Sequence, residues 1–106
     1  MQIVKTAVVL IAISFSSFPM MAQASSDQVQ AYLDQGEAYG RQGQFDKAIA
    51  EINKAIELDP KNANAFNDRG LALWLKGDMN PALADYNKAI ELNPTFATAY
   101  NNRGLL

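Results

Sequence analysis

Cysteine and histidine are both absent from the 106 residues, and these two absences exclude a great deal. A disulfide framework is impossible without Cys. The Ser-His-Asp triad, the Cys-His pair and the usual zinc sites also lose their members. Charge of one sign is scarce: nine Lys and Arg stand against eleven Asp and Glu, for a net charge of −2. A surface that tracks phosphates needs clustered cations, so nucleic acid is not an expected partner. A chain of 106 residues has room for one domain at most. The expectation is a non-enzyme with no cofactor, no bound metal and no small-molecule substrate.

What is present begins with an address. Met1 to Lys5 is a short start with one positive charge, and Thr6 to Phe18 is apolar or small. Pro19 interrupts it, and Ala22-Gln23-Ala24 supplies the small residues of an A-x-A cleavage site. This order is the secretory signal pattern. A bilayer span takes about 20 apolar residues, whereas this stretch has thirteen, four of them Thr or Ser. Residues 1–24 are therefore expected to be a cleaved signal peptide, with no stable membrane span left afterwards. The mature chain, Ser25–Leu106, would be exported, to a bacterial periplasm or the medium.

Beyond a short leader at 25–28, the chain repeats itself. Val29–Asn62 lies over Ala63–Phe96 without a gap, and 14 of the 34 pairs are identical. Ala97–Leu106 starts a third copy, sharing Ala97, Ala99, Asn101, Arg103, Gly104 and Leu105 with the second. A fixed period of this length is the mark of stacked units rather than of a closed globule.

Each unit reads as two helices and a tight turn. Val29, Tyr32, Leu33, Gly36 and Tyr39 fall on one helical face of Val29–Gln42, and Gly43 supplies an end. Asp46 is placed to cap a second helix with Ile49, Ile52, Ala55 and Ile56 on its apolar face. That helix must stop before Pro60, since the residue ahead of a proline is pushed out of the α region. In the second unit a helix over Ala63–Lys76 ends at Gly77. The next is expected to open at Asn80, with Pro81 in its first position. Nothing alternates with period two.

These residues resemble the tetratricopeptide repeat, a 34-residue helix–turn–helix with small residues at its packing points. Counted from Val29 and Ala63, Gly36 and Gly70 fall at the eighth position, Ala48 and Ala82 at the twentieth. Ala55 and Ala89 follow at the twenty-seventh, and Pro60 and Pro94 at the thirty-second. The resemblance implies an all-α, right-handed α-solenoid of helix–turn–helix (TPR) repeats, with units at 29–62, 63–96 and a truncated third at 97–106. A stable stack needs about three units. The truncation is read as a fragment of a longer array, with a partner over that end as the alternative; the isolated chain is expected to be marginally stable or to self-associate through its uncapped C-terminal end.

Two further readings concern charge. The spread carboxylates lack the spacing of a calcium loop and read as solvated faces, with Lys54/Glu57 and Lys88/Glu91 paired three apart. At the seventh position the family carries an apolar residue, yet this chain has Arg69 and Arg103, with Gln35 in the first unit. Glu51 and Asp85 occupy the twenty-third position on the facing helix. A structural ion pair between Arg69 or Arg103 and Asp85 is expected.

The resemblance implies a concave groove, lined by the first helix of each unit, that holds a protein or peptide partner. The groove residues are then Leu33, Glu37, Asn64, Asn67, Leu71, Trp74, Leu75, Asn101, Asn102 and Leu105. One subclass of the family grips a terminal carboxylate with Lys, Asn and Arg. The matching positions here are Leu33, Glu37, Asp68, Thr98 and Asn102, with no cation among them. The expected function is an exported binding module that prefers apolar to acidic-tailed segments, with Trp74 facing Gly40 across a pocket. The alternative is the non-catalytic TPR portion of a larger envelope enzyme or assembly complex.

Overall fold

The computed structural model describes residues 26–106, so the signal-peptide reading of residues 1–24 lies outside the described residues. Five helices and no strand make up those residues. They are α1 (26–41), α2 (Phe45–Leu58), α3 (Ala63–Lys76), α4 (Met79–Leu92) and α5 (Ala97–Gly104). Consecutive helices pack against one another, and α5 also reaches back to α3. The first helices of the units thus stand side by side, with the second helices behind them.

Glycine ends the first helix of each pair. Gly43 has φ +74° and Gly77 φ +103°, the left-handed conformation that costs glycine least. At Gly77 the closure is complete: its N–H donates to the Trp74 carbonyl at 2.9 Å, and the Asp78 N–H to Leu73 at 2.8 Å. The second helices begin earlier than expected. Gln44, not Asp46, precedes α2, and Asp46 sits in its first turn. Likewise α4 begins at Met79 after Asp78, which leaves Pro81 as its third residue. The first-turn N–H groups of a helix have no partner inside it, so proline is tolerated at the third position without loss of a hydrogen bond. Asn62 does cap α3, accepting from the Ala65 N–H at 3.1 Å.

The core is a line of small and large residues between the helices. Val29, Leu33, Ile52, Ala55 and Ala65 form one cluster; Phe66, Ala89 and Ala99 form the next. Glycine sets the closest approaches. A methyl group at Gly36 would lie 2.7 Å from Ile52 Cγ1 and 3.3 Å from the Ala48 carbonyl. At Gly70 it would lie 2.8 Å from Cε1 of Tyr86, a ring with no exposed surface. Among the described residues the Tyr86 hydroxyl has no hydrogen-bond partner, and burial pushes its pKa up to about 12.

The expected ion pair is formed, and it binds three helices. Arg69 on α3 donates to both carboxylate oxygens of Asp85 on α4, at 2.7 and 2.8 Å. Its Nη1 also donates to Asn53 Oδ1 on α2 at 3.0 Å. The guanidinium lies 5.4 Å from the centre of the Phe66 ring. Arg103 repeats part of this: it reaches Asn87 Oδ1 at 3.0 Å and lies 5.3 Å from the Tyr100 ring. It is therefore Arg69, not Arg103, that meets Asp85. In the first unit Gln35 stands at the same position, and Glu51 Oε2 is buried without a partner among the described residues. The surface pairs differ in one respect. Lys88 meets Glu91 at 3.5 Å as expected, but Lys54 turns to Glu51 at 3.2 Å rather than to Glu57.

Candidate functional site

A cavity of about 340 Å³ opens between α1 and α3, with α2 as its floor. Gly36, Glu37, Gly40 and Arg41 line it from α1, Ala48 and Ile52 from α2, and Asp68, Leu71, Ala72 and Leu75 from α3. Its origin is local. Gly40 lies in the last turn of α1, and a methyl group there would meet nothing within 4 Å. The missing side chain leaves the gap that the leucines of α3 overlook. Leu71 and Leu75 are 37% and 49% exposed, so their apolar surface is open to a partner.

Charge sits on the rim. Glu37 and Arg41, one turn apart, form an exposed ion pair at 2.9 Å. Asp68 is half-buried and has no hydrogen-bond or ion-pair partner among the described residues. Burial pushes its pKa from 3.8 up to about 6, and Glu37 adds repulsion. The folded state thus holds a proton up to about pH 6 that the unfolded chain releases near 3.8. Stability is fullest below that lower value and declines as pH rises through about 6. Asp68→Asn is expected to stabilise the protein at pH 7 by about 1–2 kcal/mol, discounted for partial exposure. Urea titrations of both proteins across this pH range check it. Equal slopes of stability against pH would reject the assignment.

The structure brings some of the sequence-derived groove residues together and separates others. Glu37, Leu71 and Leu75 line the cavity. Asn64 and Asn101 are exposed elsewhere on the first helices, and Leu105 is exposed just past the end of α5. Leu33 is not in the groove: it is 5% exposed and packed with Val29, Ile52 and Ala55. One turn after Val29 on α1, it shares that residue's inward face. Asn67 is also buried, and its Oδ1 accepts from Asn102 Nδ2 at 3.1 Å. These two amides satisfy each other and join α3 to α5 rather than presenting themselves to a ligand.

Trp74 needs a larger correction. It is half-buried and does not line the cavity. Gly40 and Trp74 are 34 residues apart, which makes them the same position in successive units. Leu71 and Leu75, not Trp74, line the cavity with Gly40. Sequence reasoning missed Arg41 and Ala72 as wall residues, and named Asp68 only as a position matched to the carboxylate-gripping subclass. The signal was available for Arg41, which stands one repeat before the groove residue Leu75.

Helix pairs stacked in register beside an open groove define an α-solenoid of helix–turn–helix repeats. The chain carries tetratricopeptide repeats: residues 36–77 match the family model described as TPR repeat, and residues 63–96 the one described as tetratricopeptide repeat. Among solved structures the chain is similar to the first TPR of Spaghetti (RPAP3) bound to the HSP90 peptide SRMEEVD. The TM-score is 0.73 at 30% identity, over 76% of this chain and 64% of that one. The second TPR of Spaghetti, bound to the same peptide, gives 0.74 at 26% identity, over 80% and 79% of the two chains. The TPR2AB domain of yeast Sti1, in its pHSP90 complex, shares the fold at TM-score 0.72 and 22% identity, over 92% of this chain and 40% of that one. The chain thus spans 64% of the first neighbour's length and 40% of the third's. No curated protein sequence matches it. Among the described residues no helix is long and apolar enough to cross a membrane.

Proposed function

We propose that this chain is an exported protein-interaction module that seats an apolar side chain of a partner segment in the α1–α3 cavity. The observation that carries the reading is the cavity itself, a preformed gap of about 340 Å³ at Gly40 walled by half-exposed leucines. Pockets of this size with a largely apolar lining and a few polar rim groups suit one anchoring side chain. Two solved neighbours hold a peptide that ends in Glu-Glu-Val-Asp. In this chain the positions matched to the carboxylate-gripping subclass carry Leu33, Glu37, Asp68, Thr98 and Asn102, with no cation among them, and the cation on the cavity rim, Arg41, is paired with Glu37. Export rests on the charged start, apolar stretch and A-x-A exit of residues 1–24.

One experiment tests both halves. The full gene product is expressed in a bacterium, recovered from the periplasmic extract, and its N-terminus read; Ser25 is the expected first residue. The recovered protein is then titrated with a neutral apolar peptide and with SRMEEVD. The apolar peptide is expected to bind more tightly, and Gly40→Leu, which fills the cavity, to weaken it by tenfold or more while circular dichroism stays unchanged. An intact Met1 in the membrane fraction would reject export. Tighter binding of SRMEEVD, or full binding by Gly40→Leu, would reject the cavity as the seat.

A further inference from the structure

The rim of the cavity is chemically lopsided. Its two carboxylates, Glu37 and Asp68, stand against one cation, Arg41, and that cation is already held by Glu37 at 2.9 Å. Asp68 is left without a partner among the described residues although it is half-buried. A carboxylate in partly desolvated surroundings gains most from a donor that brings a positive charge. Beside it lie Leu71, Ala72 and Leu75, which offer apolar surface and no acceptor for an approaching amine.

We propose that the partner segment places a lysine or arginine on Asp68 while its neighbouring apolar side chain fills the gap at Gly40. This deepens the preceding reading and rests on it. The occupant is then a segment of mixed apolar and basic character, the reverse in charge of the peptide held by the solved neighbours. The long methylene stem of lysine or arginine lies along Leu71 and Leu75, and the charged head stays at the water-facing rim.

The pH behaviour follows from the groups around Asp68. From α1 the cavity presents Glu37 and Arg41; from α2 it presents only Ala48 and Ile52, which do not titrate. Burial and Glu37 hold the Asp68 proton up to about pH 6. An incoming cation favours the ionised form. Its advantage is therefore full above that pH and fades as Asp68 is protonated below it.

The test uses the protein recovered as in the preceding experiment and three peptides identical except at one position, which is Gln, Lys or Glu beside a leucine anchor. Binding is measured by isothermal titration at low salt, at pH 7.5 and at pH 5. At pH 7.5 the Lys peptide is expected to bind about tenfold more tightly than the Gln peptide and the Glu peptide more weakly than either. At pH 5 most of the Lys advantage is lost, and in Asp68→Asn the ratio of Lys-peptide to Gln-peptide affinity falls to about one at both pH values. Equal binding of the Lys and Gln peptides at pH 7.5 overturns the cation seat and leaves the apolar cavity standing. A Lys advantage that survives Asp68→Asn but vanishes in Glu37→Gln overturns the assignment to Asp68. Failure of all three peptides to bind overturns the cavity reading and this inference with it.

Discussion

Gly70→Leu is expected to lower the melting temperature by on the order of 10–20 °C, through overpacking that costs a few kcal/mol in a domain of this size. The reason lies in one contact. The first added carbon would already stand 2.8 Å from Cε1 and 2.9 Å from Cδ1 of Tyr86. Tyr86 is fully buried, so its ring has nowhere to turn, and a leucine brings three more carbons into the same space. The interior already favours ring packing over polar satisfaction, since the Tyr86 hydroxyl is left without a partner among the described residues. Helix propensity works the other way, by about 1 kcal/mol in favour of almost any residue over glycine, and is too small to compensate. Thermal melts followed at 222 nm decide the matter. A melting point within a few degrees of the parent would show that α3 and α4 do not meet as described.

Arg69→Ala is expected to destabilise the protein by about 2–3 kcal/mol, somewhat below the range for fully buried pairs because the arginine keeps some solvent. The Asp85 side chain is 8% exposed and Arg69's is 26% exposed, so the aspartate is the partner that cannot escape. Left alone, it becomes an uncompensated charge between α3 and α4, and Asn53 loses its donor as well. Asp85→Ala is expected to cost less, because the freed guanidinium can swing toward water. Removing both residues should cost less than Arg69→Ala alone, with a coupling energy of about 1 kcal/mol or more. A double-mutant cycle by urea denaturation measures this directly. Additive losses would mean that the bidentate pair contributes nothing of its own.

The Arg69–Asp85 pair was legible in the sequence because it broke a pattern. An arginine stood where the repeat elsewhere calls for an apolar residue, and an acid stood on the facing helix, so the two departures explained each other. The helix ends at Gly43 and Gly77 were legible for a different reason, since few residues other than glycine take a left-handed backbone at low cost. The starts of α2 and α4 were not, because several neighbouring residues can leave their N–H groups unpaired equally well. Within the site, the space at Gly40 followed from the absence of a side chain. What faced it did not. Periodicity gives the face of a helix but not which helix comes opposite, so Trp74 was set against its own repeat equivalent. Leu33 and Asn67 were misplaced for a related reason: a position that lines a groove in one unit turns inward when a large neighbour such as Ile52, or an amide such as Asn102, covers it.

The Arg69 node has a kinetic consequence. Its bonds to Asn53 and Asp85 each span 16 residues of chain, as does the bond from Arg103 to Asn87, and the amide bridge from Asn102 to Asn67 spans 35. No such tie requires distant parts of the polypeptide to find one another first. Closing loops this short costs little entropy, and chains dominated by short-range ties assemble in microseconds to milliseconds. Each unit is tied only to its immediate neighbours, so order spreads from one helix to the next like a zipper, from whichever pair forms first. The same arrangement makes loss of order directional. A unit at the edge can come apart while the α3–α4 pair, which holds the arginine at its centre, remains intact.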